Sequence, residues 1–450
     1  MASSISANVT QLIPVTLEQV NPKVPAYLVN KQSNYMKMFK KANPKHQISP
    51  WGAGTVGSGG VSAFRVPVQT ANGGQSRAVN LDGGDAGAGS LMQTAFMTLG
   101  YFATDIAYQI SYLSAISTKS TAQAKLQALQ VSIEKTLDEM AVYDEIGFFQ
   151  DSTGVLATAV SHSGTGAGPI TYTMETSAFT VNRIRSGLGA LVDIADSGNV
   201  IRGTNWVVTG INYTANTVTL AGGSSLTTAD TDQLVWPGMA AVGSTISAGS
   251  FRNGLYTFNT TNTSGSLLGL SYSTVPELIC PQVNGGGGFY TPSLIYSAKS
   301  QMTQRRDDEV LGGVVGVCHT AQRTSWYNVG ITIANIYQRP GEPTKNIDLA
   351  AQGTKLNSTF EAGEITHYVS RYANKSRVDW NNPGNFGWVQ LQDPQFLQTP
   401  EGQRLFIGHS TTTGNPTFGY QWYAVNSSNL YTTDPACSAV IYSLAIPAGQ

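Results

Sequence analysis

Apolar residues recur at three- and four-residue steps through one stretch of this chain: Ala122, Leu126, Leu129, Ile133, Leu137 and Met140. That spacing predicts one face of a helix. Lys125, Glu134, Lys135, Asp138 and Glu139 fall on its other sides. Ser120 with Gln123 opens the helix as a capping box, and Gly147 ends it. Ahead of this helix the period shortens. Ala63, Phe64, Arg65 and Val66 alternate like a strand within Ser62–Val68, and Asn72-Gly73 is a hairpin signal. A return strand is expected at Ala78–Leu81, followed by the glycine-rich stretch Gly83–Gly89, and Met92–Leu113 leads into the long helix.

Beyond the long helix, Phe179, Ile184, Leu188, Leu191 and Val192 make an apolar stripe that predicts a second helix over Glu175–Ala195. Residues 203–290 change character, with only Asp230, Asp232, Arg252 and Glu277 charged. Strand-like alternation at Trp206–Tyr213 and Thr217–Leu220, joined by the turn Thr214-Ala215-Asn216, predicts a small β-rich insertion, a barrel or sandwich. A helix is expected over Pro292–Arg305, a buried strand at Val314–Val317 and a further helix from Thr320 to Tyr337. From Asp348 the chain reads as strands and turns, ending with Tyr420–Val425 and Ala439–Ile446 as a long hairpin. At the other end, residues 1–50 carry six lysines against the single acid Glu18. Their prolines predict a largely extended arm with a short helix around Lys31–Lys41.

Composition changes the picture in one direction. Only 12% of the 450 residues are charged, against roughly 25% in typical soluble domains. A freely diffusing protein normally stays soluble through charge, so this balance favours a chain that hides much of its surface against partners. The net charge of −1 gives no global field towards nucleic acid or membrane. No apolar run of membrane-spanning length occurs, and the first residues do not read as a secretory signal. Cys280, Cys318 and Cys437 are widely spaced and read as buried small hydrophobes.

Catalytic motifs are weak. Gly52-Ala53-Gly54-Thr55-Val56-Gly57 matches the dinucleotide fingerprint in form, but no strand precedes it and no helix follows, so it reads as a hinge. Cys318-His319 supplies adjacency without geometry. Asp230 and Asp232 lack the further acids of a calcium loop. No cofactor, metal or catalytic set is expected. Arg305-Arg306-Asp307-Asp308-Glu309 is a compact charge run, read equally as a solvated helix end or a contact with a neighbouring subunit.

The order of extended loop, long helix and then a helix-and-sheet platform resembles that of major capsid proteins of tailed bacteriophages. The segments 207–213, 217–220, 232–238, 254–256 and 265–278 are similar to the barrel inserted in the axial domain of many members. Ser271-Tyr272 departs from the family where relatives often place a charged residue. The resemblance implies an α+β capsid fold with five parts. These are an N-terminal arm (1–50), an extended loop (51–100), a peripheral domain with the spine helix (101–170), an axial domain (171–359, with the insertion 203–290) and peripheral C-terminal strands (360–450). It implies a non-enzymatic shell protein that self-assembles as hexamers and pentamers into an icosahedral head around double-stranded DNA. Scaffolding, portal and decoration proteins are its expected partners and the virion its expected location. Arg65, Arg77, Asp82, Asp85, Arg305 and Arg306 are the candidate inter-subunit contacts. An encapsulin-like nanocompartment shell and a secreted β-rich adhesin are the alternative readings.

Overall fold

A computed structural model describes residues 17–39, 49–51, 63–72, 92–100, 102–111, 122–166, 168–176, 183–184, 190–222, 228–305, 312–337, 359–362, 365–390, 393–398, 404, 406–409 and 416–448. They fall in two compact units. The first comprises Met1–Met38, Tyr101–Gly147 and Val389–Asn429, and the second Phe39–Gly100, Phe148–Trp388 and Leu430–Gln450. The loop Gln69–Gly89, the glycine run at 52–57 and the candidate contacts Arg77, Asp82, Asp85 and Arg306 lie wholly or mostly outside the described residues.

In the first unit the long helix runs Ala122–Phe148, about 40 Å at 1.5 Å per residue. Ile133, Leu137 and Met140 are buried, while Glu134, Lys135 and Glu139 face solvent, as the period requires. The buried face meets Leu17, Val24 and Leu28 from the N-terminal segment and Phe396, Trp422 and Ala424 from a sheet. At the centre of that sheet, Pro416–Asn426 pairs antiparallel with Thr104–Ser111 along eight positions. It also pairs with Gln395–Phe396 and Phe406–His409. Buried Asn426 donates through Nδ2 to both carboxylate oxygens of Asp144, at 2.8 and 2.7 Å.

The N-terminal segment departs from its expectation. Its α-helix is Val24–Lys31 after a 3-10 turn at Asn21–Lys23, before the expected position, where only the 3-10 turn Met36–Met38 occurs. Pro22 and Pro25 stand in the first turns, where a missing N–H breaks no intrahelical bond. Residues 17–31 are not a bare arm. Besides the apolar contacts, Tyr27 Oη donates to Asp138 Oδ1 at 2.9 Å and Lys31 Nζ lies 3.0 Å from the same oxygen.

Three of the second unit's sheets build most of it. The first is antiparallel, in the order Ser49–Trp51, Ala63–Asn72, Met92–Leu99. Its register, from Phe64↔Leu99 to Asn72↔Met92, makes Met92–Leu99 the return strand. Asn72 pairs with Met92 rather than opening a two-residue turn, and Gly73 and the expected return strand Ala78–Leu81 lie outside the described residues.

The second is a closed barrel of Val155–Ser163, Ile170–Met174, Leu191–Ala195, Ile201–Asn212, Thr217–Ala221 and Gln233–Val235. The hairpin 201–221 matches its expectation, with Asn216 at φ 53 in the turn. Two expectations are corrected. Three barrel strands precede residue 203, so the insertion does not close by itself. Leu191–Ala195 is a strand rather than a helix end, paired on one edge with Ile201–Asn212 and on the other with Gln233–Val235. A helical stripe and an alternating Val192/Ile194 pair are indistinguishable over so few residues, and barrel closure supplies partners that local period cannot reveal. Asp193 is tolerated within this strand because its carboxylate accepts from Asn205 N at 2.7 Å and Gly238 N at 2.9 Å. Trp206 fills the barrel beside Gly222, where a Cβ would overlap the indole ring. Gly222→Ala is expected to destabilise this unit by about 1–3 kcal/mol, read as a lower melting temperature by calorimetry.

The third is a six-stranded mixed sheet, in the order Gln282–Asn284, Ala439–Tyr442, Val378–Asn381, Val315–Cys318, Ile365–Val369, Thr359–Ala362. The helix Pro292–Thr303 covers it through Ile295, Ala298 and Met302, and Trp326 and Tyr327 of the helix Thr320–Tyr337 pack on the same core. The expected hairpin between Tyr420–Val425 and Ala439–Ile446 does not form. Ala439–Tyr442 pairs with Gln282–Asn284 and Val378–Asn381 instead. All three cysteines are free and buried, as expected.

Candidate functional site

Two of the six candidate contacts lie on described residues, and the structure does not bring them together. Arg65 sits on the strand Ala63–Asn72, its guanidinium 5.5 Å from the centre of the exposed Phe96 ring on the paired strand. Arg305 follows the helix Pro292–Thr303 and donates through Nη1 to Ile279 O.

The strand carrying Arg65 has an unusual pairing. Ser49–Trp51 lies alongside only Ala63–Arg65. From Val66 to Asn72 the strand pairs only with Met92–Met97 among the described residues. Val66, Val68, Met97 and Leu99 are buried at the base of this ladder, and Phe96 is 45% exposed. A ladder only two strands wide is marginal in water; among the described residues its edges are met by Ser49–Trp51 and by Leu268 O, which accepts from Thr98 N at 3.2 Å, and a free edge beyond these can pair with a neighbouring chain.

A second feature was not anticipated. On the strand Val378–Asn381, Val378 and Trp380 enter the apolar core, while Asp379 and Asn381 turn the other way. Asn259 Nδ2 donates to Asp379 Oδ1 at 3.1 Å and to Asn381 Oδ1 at 2.9 Å. Arg377 pairs with Asp379 through Nε at 3.0 Å and through Nη2, and Nη2 also donates to Asn259 O at 2.7 Å. The Arg377 guanidinium stacks 4.1 Å from the Tyr256 ring centre, and that of Arg183 lies 5.6 Å from it. Arg183 Nε donates to Tyr372 O at 2.9 Å. Burial pulls the Arg183 pKa below its ordinary value, while Tyr256 and Asp151 act to raise it. Both arginines line a cavity of about 270 Å³ with Gln150, Asp151, Glu175, Thr261 and Asn374 among its other walls. The alternation Arg377-x-Asp379-x-Asn381 was the one sequence signal for this cluster.

Several residues weighed as catalytic or metal-binding have partners within the fold. Cys318 lies in the apolar core, and burial pushes its thiol pKa up, away from a nucleophile's range. His319 Nδ1 accepts from Ala321 N at 3.1 Å. Asp230 holds the His162 ring at 2.7 Å, whereas buried Asp232 accepts from Tyr172 Oη at 2.9 Å and Ala229 N at 2.8 Å. Among the described residues no cluster of three metal-ligating side chains occurs. No described helix is long and apolar enough to cross a membrane.

No family model matches the chain. No curated protein matches it in sequence. Among solved structures it is similar to the capsid of cyanophage A-1(L), at 9% identity over 85% of this chain and 88% of that one, with a TM-score of 0.47. It is also similar to a structure of Mycobacterium phage Ogopogo, at 9% identity over 92% of each chain and a TM-score of 0.40. The encapsulin complex of Synechococcus elongatus is a third, at 8% identity over 79% and 78% of the two chains and a TM-score of 0.32.

Proposed function

We propose that this chain is a structural, non-enzymatic shell subunit of the tailed-phage capsid type. The observation that carries the reading is the ladder Val66–Asn72/Met92–Met97, two strands wide among the described residues and bearing an exposed Phe96. Beyond its buried residues Val66, Val68, Met97 and Leu99, such a ladder gains most from lying across another chain, where apolar and backbone contacts accumulate between subunits. The scarcity of charge supports the same reading, since a surface poor in Lys, Asp and Glu is costly to keep exposed and suits burial against copies. In this reading the ladder belongs to an extended loop over residues 51–100. The long helix is the spine of a peripheral domain, and the barrel and mixed sheet serve the axial and peripheral parts. The subunits close as hexamers and pentamers into an icosahedral head around double-stranded DNA. Scaffolding, portal and decoration proteins are the accessory partners. Arg65, Arg77, Asp82, Asp85, Arg305 and Arg306 are the proposed inter-subunit contacts.

Negative-stain microscopy of the purified full chain, expressed alone and with a scaffolding protein, tests the reading. Rings or hollow particles are the expected result. A stable, monodisperse monomer under every assembly condition overturns it.

A further inference from the structure

The two edges of the ladder Ala63–Asn72/Met92–Leu99 differ in chemistry. Thr98 N donates to Leu268 O at 3.2 Å, so Thr98 turns its backbone groups away from the strand it is paired with. In an antiparallel ladder this direction alternates along each strand. Phe96 and Thr94 therefore also turn N–H and C=O to the outer edge of Met92–Leu99. Arg65, Pro67 and Gln69 are the register partners of Thr98, Phe96 and Thr94, and they face the outer edge of Ala63–Asn72.

The edge of Ala63–Asn72 is guarded. Ser49–Trp51 covers it as far as Arg65. At the next outward position Pro67 has no N–H to give. Beyond it the register shifts between Gln69 and Ala71, a bulge in this strand. Proline, charge and bulges are the devices that keep a free edge from pairing with other chains. The edge of Met92–Leu99 has none of them. Its sequence Met-Gln-Thr-Ala-Phe-Met-Thr-Leu contains no charge and no proline, and the extra residue of the bulge lies on the partner strand. Leu268 O takes the Thr98 N–H, and among the described residues nothing takes those of Phe96 and Thr94. The side chains of Thr94, Phe96 and Thr98 are all exposed.

We propose that an extended segment of a second copy of this chain adds to the outer edge of Met92–Leu99 as a further strand, bonding to the backbone of Thr94 and Phe96. The inference rests on the shell reading above and names the edge at which copies meet. Two observations argue the occupant. Donor and acceptor groups that recur every second residue, about 6.8 Å apart, match another extended backbone. An edge left without guards suits a chain whose partner is always at hand, and a shell of identical copies supplies one.

Two variants of the full chain and one measurement on the unsubstituted protein test it. Thr94→Pro removes an outward N–H without removing a bond of the ladder. The melting temperature of the unassembled chain is therefore expected to hold. The concentration for half-assembly, followed by light scattering, is expected to rise about tenfold, the effect of one lost backbone hydrogen bond in an interface. Gln69→Pro makes the same change on the guarded edge and is expected to assemble like the unsubstituted chain. If Thr94→Pro assembles as well as Gln69→Pro, the inference is overturned and the shell reading stands. If Thr94→Pro lowers the melting temperature by several degrees, that N–H serves the chain's own fold and the inference is overturned. Amide hydrogen exchange needs no variant. Thr94 and Phe96 are expected to exchange fast in the unassembled chain and slowly in the assembly. Slow exchange already in the unassembled chain means that the chain covers its own edge, and fast exchange in both states means that nothing covers it; either overturns the inference. If the unsubstituted chain never associates, the shell reading fails and takes the inference with it.

Discussion

Trp380→Ala is expected to cost the second unit about 3–5 kcal/mol of stability. Trp380 is fully buried at the centre of the mixed sheet, within the cluster that includes Ile295, Met302, Phe360 and Ile441. Removing the indole leaves a cavity that strands on both sides cannot close, because Val378–Asn381 is paired on each edge. It also removes the Nε1–H that donates to His367 Nε2 at 3.1 Å. Cys280, Cys318 and Cys437 are buried in the same unit, so labelling by a thiol reagent in increasing urea reads its opening. The labelling midpoint should move to much lower urea in the variant. A midpoint within experimental error of the unsubstituted chain would show that this sheet is not the core of the unit.

The second large effect is acid sensitivity. His367 Nδ1 lies 2.8 Å from Ile365 O, which can only accept, so Nδ1 carries the proton. Nε2 is then bare and takes the Trp380 N–H, with Tyr290 Oη at 2.8 Å. Protonating Nε2 sets one N–H against another inside an apolar core. Burial accordingly lowers the His367 pKa from 6.5 to about 4. Burial, with Lys375 and Arg183 adding to it, lowers that of His319 to about 4 as well. Both folded values lie below the unfolded one, so the unfolded chain binds these protons first. The stability is fully present above pH 6.5 and is lost as the pH falls from there through about 4, at about 3 kcal/mol for each histidine. Asp193, whose carboxyl pKa is raised by burial, works in the opposite sense and offsets part of the loss. Urea midpoints between pH 7 and pH 4 should therefore fall steeply. In His367→Gln the slope over that window should be roughly halved, whatever the packing change does to stability at pH 7. An unchanged slope would show that His367 is not one of the titrating groups.

Local periodicity accounts for much of what was legible. The apolar steps through Ile133, Leu137 and Met140 mark the long helix because one helical face is buried, whatever covers it. The hairpin around Asn216, the helices Pro292–Thr303 and Thr320–Tyr337 and the short buried strand Val315–Cys318 were likewise readable, since each carries its own period or turn chemistry. The candidate site was less legible. Arg65 could be placed on a strand, but not Phe96 beneath it, because cross-strand neighbours depend on register.

By itself, then, the sequence determined the elements whose signal lies within a few residues, together with the scarcity of charge that points to buried surfaces. Tertiary structure alone decided the rest. Leu191–Ala195 became a strand because a barrel edge was open on either side of it. Pro416–Asn426 and Ala439–Tyr442 went to different sheets because Thr104–Ser111 and Gln282–Asn284, remote in sequence, compete for them. Pro22 and Pro25 start helices because the apolar face of the long helix gives Leu17, Val24 and Leu28 somewhere to be buried. Arg183, Tyr256 and Arg377 meet around one cavity although more than a hundred residues separate the first from the last. Pairing and burial are decided by which partner satisfies a backbone edge or a charge, and those partners are brought near only by the fold.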